Sequence, residues 1–449
     1  MRRLAWAALF AAIGTLRLTQ GDVLWVEECY PAAAAIQVLH GKLPYRDFVF
    51  DKPPLSIGFY LLFGAQTGVA LRIAGSLYVL LCAFLASRVA GRLWNPATGW
   101  VAAIGTAFAM TFYFPAATIA LAPDVLMVAP HLAAILAAIS GWPLAAGALA
   151  GLALHVNTKA VFVAGACAAW GSPARVLIGF AAVAVPPLAA IPGYWDHVWA
   201  WGLRYAADTA IAEPLRNGLS RSANWAGFHA AFLLAAAAYW WKERTADSRR
   251  LGWWLAVSFA AAASGWRFFP RYFFQAIPPL AVAASRGFAR SGAVTRVAIA
   301  LLLAVPAVRF GGVYLRGAAN RDLAMGRDAD AAAAVIAERM QPGDTILVWG
   351  YRPEILVRTR LALGTPFLDS QPLTGVLADR HLQSSTPTFA AAAKVNRERL
   401  AALRPTFVVD GLGRYNAALG IAAYGELREW RAAYREIGRT HGCFIYKLR

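Results

Sequence analysis

Apolar stretches close to the length of a bilayer crossing recur along this chain from its first residues to about position 314, and then stop. A crossing helix needs about 20 consecutive apolar residues, because the hydrocarbon core is about 30 Å thick and each residue rises about 1.5 Å. Lipid offers the backbone no hydrogen-bond partners, so such a chain must satisfy its amides within helices. Composition agrees, with 59% hydrophobic and 15% charged residues, against roughly 45–50% and about 25% in a soluble domain. About eleven spans can be drawn, over residues 4–19, 69–90, 99–115, 122–140, 143–157, 160–171, 174–194, 223–241, 251–265, 271–286 and 294–314. The fifth and sixth are short and predict a re-entrant or tightly packed pair around Asn157-Thr158-Lys159.

The connecting loops alternate in charge. Arg88 and Arg92, then Arg175, then Lys242, Arg244, Arg249 and Arg250, then Arg286, Arg290 and Arg296 fall on one side. The opposite loops hold Asp22, Glu27, Glu28, Asp47 and Asp51, then Asp124, then Asp196, Asp208 and Glu213. Basic loops stay in the cytoplasm. The N-terminus is therefore predicted to be cytoplasmic, and an odd number of crossings places the tail in the periplasm of a bacterial inner membrane. Met1-Arg2-Arg3 and the apolar run to Leu18 have the layout of a signal peptide, but no convincing cleavage site follows, which predicts a retained first helix. The net charge of +19 excludes little by itself. A nucleic-acid reader gathers its basic residues on one patch, whereas here they sit between apolar runs and suit anionic lipid headgroups.

The chain thus divides into a membrane domain, 1–314, and a small soluble α/β domain, 315–449. In the tail, helices are predicted from Arg327 to Met340 and near 388–403 and 426–436, with strands at Thr345–Trp349, Thr406–Val409 and Cys443–Lys447. It carries no glycine loop for a nucleotide and no catalytic triad. Of the four cysteines, Cys82 and Cys167 lie in apolar runs, and Cys29 and Cys443 can pair only if the fold brings them together.

Residues 20–68 form the first periplasmic loop, too charged to face lipid and too apolar to float free. Interfacial helices are expected there, with Trp25, Tyr30, Tyr45 and Tyr60 at headgroup level. The loop holds the acidic pair Glu27-Glu28, then Gly41-Lys42-Leu43-Pro44-Tyr45-Arg46-Asp47-Phe48, then Asp51-Lys52-Pro53-Pro54-Leu55. In this it resembles the GT-C glycosyltransferases of the protein O-mannosyltransferase and lipid A aminoarabinose transferase type, which have an acidic pair, G-x-P-Y-x-D-F and K-P-P-L. Glu27-Glu28 stands where that family has Asp-Glu. Ala122-Pro123-Asp124, the turn ending in Thr158-Lys159, and Phe269-Pro270-Arg271-Tyr272 with Pro278-Pro279-Leu280 resemble its other motifs, Arg271 standing where the family has His.

The resemblance implies a polytopic enzyme that moves a sugar from a polyprenyl-phosphate carrier to a periplasmic glycan, lipid or protein. Such a displacement at the anomeric carbon needs a carboxylate to take the acceptor's proton and cations to hold the leaving phosphate. Glu27 is the candidate base, with Asp124 orienting the acceptor or sharing the role. Lys52, Lys159 and Arg271 are the candidate phosphate grips, and Glu28 is a candidate substrate contact and ligand for a divalent cation. Tyr45, Arg46, Asp47 and Tyr272 complete the candidate substrate contacts, Arg46 and Asp47 having the alternative of pairing with each other. His131 and His155, on apolar helical faces, are expected to pack with one polar partner each. The rival reading is a transporter or flippase. Transporters bind at the midplane between repeated halves, but here the charges gather at one surface and no internal repeat is found.

Overall fold

The structure is a computed structural model and describes residues 2–207, 213–316 and 320–449; Asp208 lies outside the described residues. Helices cover the expected apolar stretches. Among the described residues three are long and apolar enough to cross a membrane, Val69–Leu93, Pro173–Ala190 and Ala293–Arg316. Others are shorter, because proline and glycine punctuate them: Pro96 and Pro143 open helices as their preset φ favours, and Gly141 turns the chain at φ +81°. The break at Asn157 is a 3₁₀ turn, Thr158–Ala160, capped by the Asn157 side chain, which accepts from the Lys159 amide at 3.0 Å.

Several of these helices pack through glycine. A Cβ on Gly147 or Gly179 would meet the backbone of the facing helix at 1.9 and 2.1 Å, so Pro143–Leu154 and Pro173–Ala190 approach backbone to backbone.

The C-terminal part carries a five-stranded sheet in the order β2-β1-β3-β5-β4. Its strands are β1 Thr345–Trp349, β2 Ala362–Leu363, β3 Phe407–Asp410, β4 Tyr434–Arg439 and β5 Phe444–Leu448. β1 pairs in parallel with β2 and β3, while β5 runs antiparallel to both β3 and β4. The three expected strands are present. The helix expected through 426–436 ends at Ala432 and gives way to β4 at Tyr434, where Arg435, Glu436 and Arg439 are exposed.

The first loop is clamped between these two parts. Its helix Val26–Leu39 is buried from Glu28 to Gln37. Gln37 donates to the Leu361 carbonyl at 3.1 Å and accepts from the Leu363 amide at 2.7 Å. Val49 donates to the Pro366 carbonyl at 2.8 Å. Toward the long helices, Leu55 donates to the His155 carbonyl at 2.8 Å and the Tyr60 hydroxyl to that of Leu121 at 3.0 Å. Trp25, Tyr30, Tyr45 and Tyr60 are buried in protein, not spread at the level of the headgroups as expected: Trp25 packs with Val23, Ile119, Ala120 and Tyr314, Tyr45 stacks on Tyr194, the Tyr60 hydroxyl reaches the Leu121 carbonyl, and Tyr30 stacks on Tyr351 of the C-terminal part. All four cysteines are free and buried.

Candidate functional site

Four chain breaks meet at one end of the helices. Glu27 lies in the first turn of Val26–Leu39, and Asp124 directly follows Pro123 in the first turn of Pro123–Leu126. Both positions place a carboxylate against unpaired helical amides, where the helix dipole favours it. Lys159 comes from the capped turn after Asn157, and Arg271 and Tyr272 from the 3₁₀ turn Pro270–Gln275.

The side chains converge. Arg271 Nη1 donates to Glu27 Oε1 at 2.8 Å, and its Nε lies 3.7 Å from Asp124 Oδ2. Asp124 Oδ1 accepts from Asn157 Nδ2 at 3.1 Å and lies 3.9 Å from Lys159 Nζ. The Lys159 ammonium sits 2.8 Å above the centre of the Tyr272 ring, a cation–π contact, and has no hydrogen-bond partner of its own among the described residues. At separations near 4 Å and an effective dielectric of about 20, the bare Coulomb attraction of each such charge pair is about 4 kcal/mol, most of it offset by the desolvation and ordering of the two side chains. Two carboxylates and two cations therefore hold one another, with the ammonium's donors unspent.

Other candidates are placed differently. Glu28 is fully buried, and both its oxygens face the equally buried Arg72 guanidinium. The substrate and metal contact expected of it is thus replaced by an internal ion pair, since Glu28 points one helical step away from Glu27, toward the first turn of Val69–Leu93. Arg46 and Asp47 pair with each other at 2.8 Å at the loop surface. The Leu43 amide also donates to Asp47, and these bonds, Arg46 first, push the Asp47 carboxyl down to about 2. Neither makes a polar contact with the cluster among the described residues, in place of the substrate contact expected. Tyr45 takes a left-handed backbone, φ 67°, stacks on Tyr194 at 5.1 Å, and donates to the Lys52 carbonyl at 2.6 Å. Gly193 is required beside it, since a Cβ there would meet the Tyr45 carbonyl at 2.7 Å. Tyr45 thereby shapes the turn that presents Lys52, whose ammonium holds Asp51 at 2.9 Å and remains 39% exposed. His131 accepts from Trp254 Nε1 at 2.7 Å, while His155 has two partners, Tyr194 and the Val183 carbonyl.

Several residues at or beside the site escape a motif reading. Arg72 and Arg17 are buried and bind backbone carbonyls, Arg72 those of Gln20 and Val23 at the start of the first loop, Arg17 those of Thr118 and Ile119. The signal was there, since an arginine inside an apolar span demands a partner. Tyr351 follows β1 and stacks on Tyr30 at 5.1 Å. It brings the carboxyl end of a parallel strand, a common place for ligand contacts, to the mouth of the cluster. Beneath it lies Asp369, buried, its carboxyl pushed up to about 6 by burial, with the nearby Asp51 adding to the effect and the Gln371 amide opposing it.

The donor set does not fit a divalent cation. No group of three His, Cys, Asp or Glu side chains lies together among the described residues. Glu27, Glu28 and Asp124 each already face a cation of the protein.

No family model matches the chain, and no curated protein matches it. Solved structures do. ArnT from Cupriavidus metallidurans, bound to undecaprenyl phosphate, superposes with a TM-score of 0.62 at 16% identity, covering 98% of each chain. The oligosaccharyltransferase of Archaeoglobus fulgidus, in complex with Zn and sulfate, gives 0.52 at 14% identity over 95% of this chain and 71% of the other. The archaeal oligosaccharyltransferase AglB from the same organism, with an inhibitory peptide and a dolichol-phosphate, gives 0.51 at 13% identity over 100% and 74%. The chain has the GT-C fold, mostly helical with a small C-terminal sheet.

Proposed function

We propose that this protein is a membrane glycosyltransferase that moves a sugar from a polyprenyl-phosphate donor to an acceptor on the periplasmic face of a bacterial inner membrane. The observation that carries the reading is the sharing of Arg271 by Glu27 and Asp124 beside an ammonium, Lys159, with unspent donors, in a chain of the GT-C fold. In this reading about eleven helices cross the membrane, the N-terminus is cytoplasmic, and the soluble domain caps the site from the periplasm.

In the reaction the acceptor oxygen bonds to the anomeric carbon as the bond from that carbon to the phosphate oxygen breaks. The acceptor's proton goes to the Glu27 carboxylate. The electron pair of the broken bond stays on the phosphate, which leaves as the polyprenyl monophosphate. Lys159 and Arg271, with Lys52 at the rim, stabilise the added negative charge. Asp124, held by Asn157, keeps Lys159 and Arg271 aimed at the phosphate and orients the acceptor. The acceptor is a lipid, a polysaccharide or a protein.

The test incubates the purified protein with a panel of polyprenyl-phosphate sugars and follows release of polyprenyl phosphate, alongside thermal stabilisation by undecaprenyl phosphate. Stabilisation that weakens in Lys159→Gln and Arg271→Gln, and turnover lost in Glu27→Gln and Asp124→Asn, are expected. Undiminished turnover in both carboxylate variants would remove the mechanism.

A further inference from the structure

The helix Val69–Leu93 runs from the candidate site to a cavity at its other end. Arg72 in its first turn holds Glu28; Arg88 and Arg92 lie in its last turns. At about 1.5 Å per residue the two ends stand about 30 Å apart, the thickness of the hydrocarbon core. The far end opens into a cavity of about 1020 Å³ with Trp6, Arg88, Arg92, Trp100, Ser140 and Trp142 in its wall. The rest of the lining is almost wholly apolar, and it includes no acid.

Three features define what fits. Arg88 and Arg92 are one helical turn apart on one face, are exposed, and make no ion pair among the described residues. Like charges at that spacing repel unless an anion lies between them. The tryptophans, Trp6 packed on Trp100 at 4.6 Å, sit at helix ends, where indoles mark the headgroup level. The apolar remainder is larger than a headgroup needs and suits hydrocarbon. A free phosphate would leave those walls and indoles unused.

We propose that this cavity binds a diacyl anionic phospholipid of the leaflet opposite the candidate site, its phosphate between Arg88 and Arg92 and its acyl chains along the apolar wall. Basic pockets between spans take such headgroups on the cytoplasmic side. The inference rests on the helices crossing a membrane and not on the catalytic reading.

The test uses the full chain, delipidated in neutral detergent, titrated with phosphatidylglycerol, phosphatidylcholine and inorganic phosphate and read by native mass spectrometry and thermal shift. Phosphatidylglycerol alone is expected to be retained and to stabilise. Arg88→Ala with Arg92→Ala should weaken it about thirtyfold, the ordinary strength of two basic groups at an anionic surface. Gly91→Leu provides a variant with both charges intact. A Cβ at Gly91 meets nothing within 4 Å and leucine favours the helix, so the added side chain enters the cavity and should also displace the lipid. Equal retention of phosphatidylcholine, equal stabilisation by inorganic phosphate, or parent-like phosphatidylglycerol binding in both variants would overturn the assignment.

Discussion

Adjacent glutamates in the first loop should fail in opposite ways when altered. Glu28 and Arg72 have fully buried side chains, so Glu28→Ala strands a guanidinium whose remaining partners are carbonyls of Gln20, Val23 and Ile119. Breaking one member of a buried pair costs about 3–5 kcal/mol. Glu27 and Arg271 are each 27% exposed, and a pair of that exposure contributes about 0–1 kcal/mol. Loss of a catalytic base, by contrast, removes about 10²–10⁴ in rate. Glu27→Gln should therefore unfold within a degree or two of the parent in the same detergent yet lose nearly all turnover. Glu28→Ala should unfold well below it. Replacing both partners, Glu28→Met with Arg72→Met, should recover part of that loss but not all, because the loop carbonyls then lose their donors. Comparative thermal unfolding and single-turnover sugar transfer give both numbers. A Glu28 variant of parental stability without activity, or a Glu27 variant as unstable as Glu28→Ala, would refute the division of labour.

Two further outcomes concern the soluble domain. The Asp369 carboxyl sits near 6 in the folded protein, against about 3.9 unfolded, so the folded state keeps a proton that the unfolded state has lost between about pH 4 and pH 6. Stability from this group is full below about pH 4 and declines by about 3 kcal/mol as pH rises to about 6. Asp369→Asn should flatten that part of the unfolding profile relative to the parent, and an unchanged difference curve would count against it. Gln37→Ala leaves the Leu361 carbonyl and the Leu363 amide without their partner, at about 1–3 kcal/mol each; limited proteolysis should cut faster around residues 360–366, and a parental rate would show that the clamp lies elsewhere.

The positions of most helices and of three strands can be read from the sequence because hydrophobic period and turn residues act locally. Pro123 before Asp124 and Asn157 before Lys159 are such local signals, and each candidate stands in the first turn of a short helix. What cannot be read so is which of two neighbouring carboxylates joins the cluster. Glu27 and Glu28 have the same charge and the same dipole benefit, and the choice is made by Arg72, 44 residues away. Tyr351 is a similar case, since it reaches the site through the docking of Tyr30, Gln37 and Val49 on the C-terminal domain. The burial of Tyr30 against Tyr351 has the same origin. A loop that looks amphipathic alone becomes interior once a domain far along the chain closes over it.

The charge balance of the cluster bears on the order of events. At rest Glu27 and Asp124 offset Arg271 and Lys159, so an arriving phosphodiester has one set of donors free, those of Lys159, while Arg271 is engaged with Glu27. Transfer gives the phosphate a second negative charge and gives Glu27 a proton. The total is unchanged, but Arg271 loses its carboxylate partner at the moment the phosphate needs a further cation. Lys159 should then serve mainly in donor binding, and Arg271 mainly in the chemical step, where the charge-assisted bond forms. Lys159→Gln is expected to weaken donor binding with a smaller change in the single-turnover rate. Arg271→Gln should lower that rate by at least tenfold at saturating donor, about the value of one such bond, 1.5–3 kcal/mol. If both variants change donor affinity alone, with rates at saturation equal to the parent, this exchange of partners does not occur, and Arg271 is only part of the phosphate's resting seat.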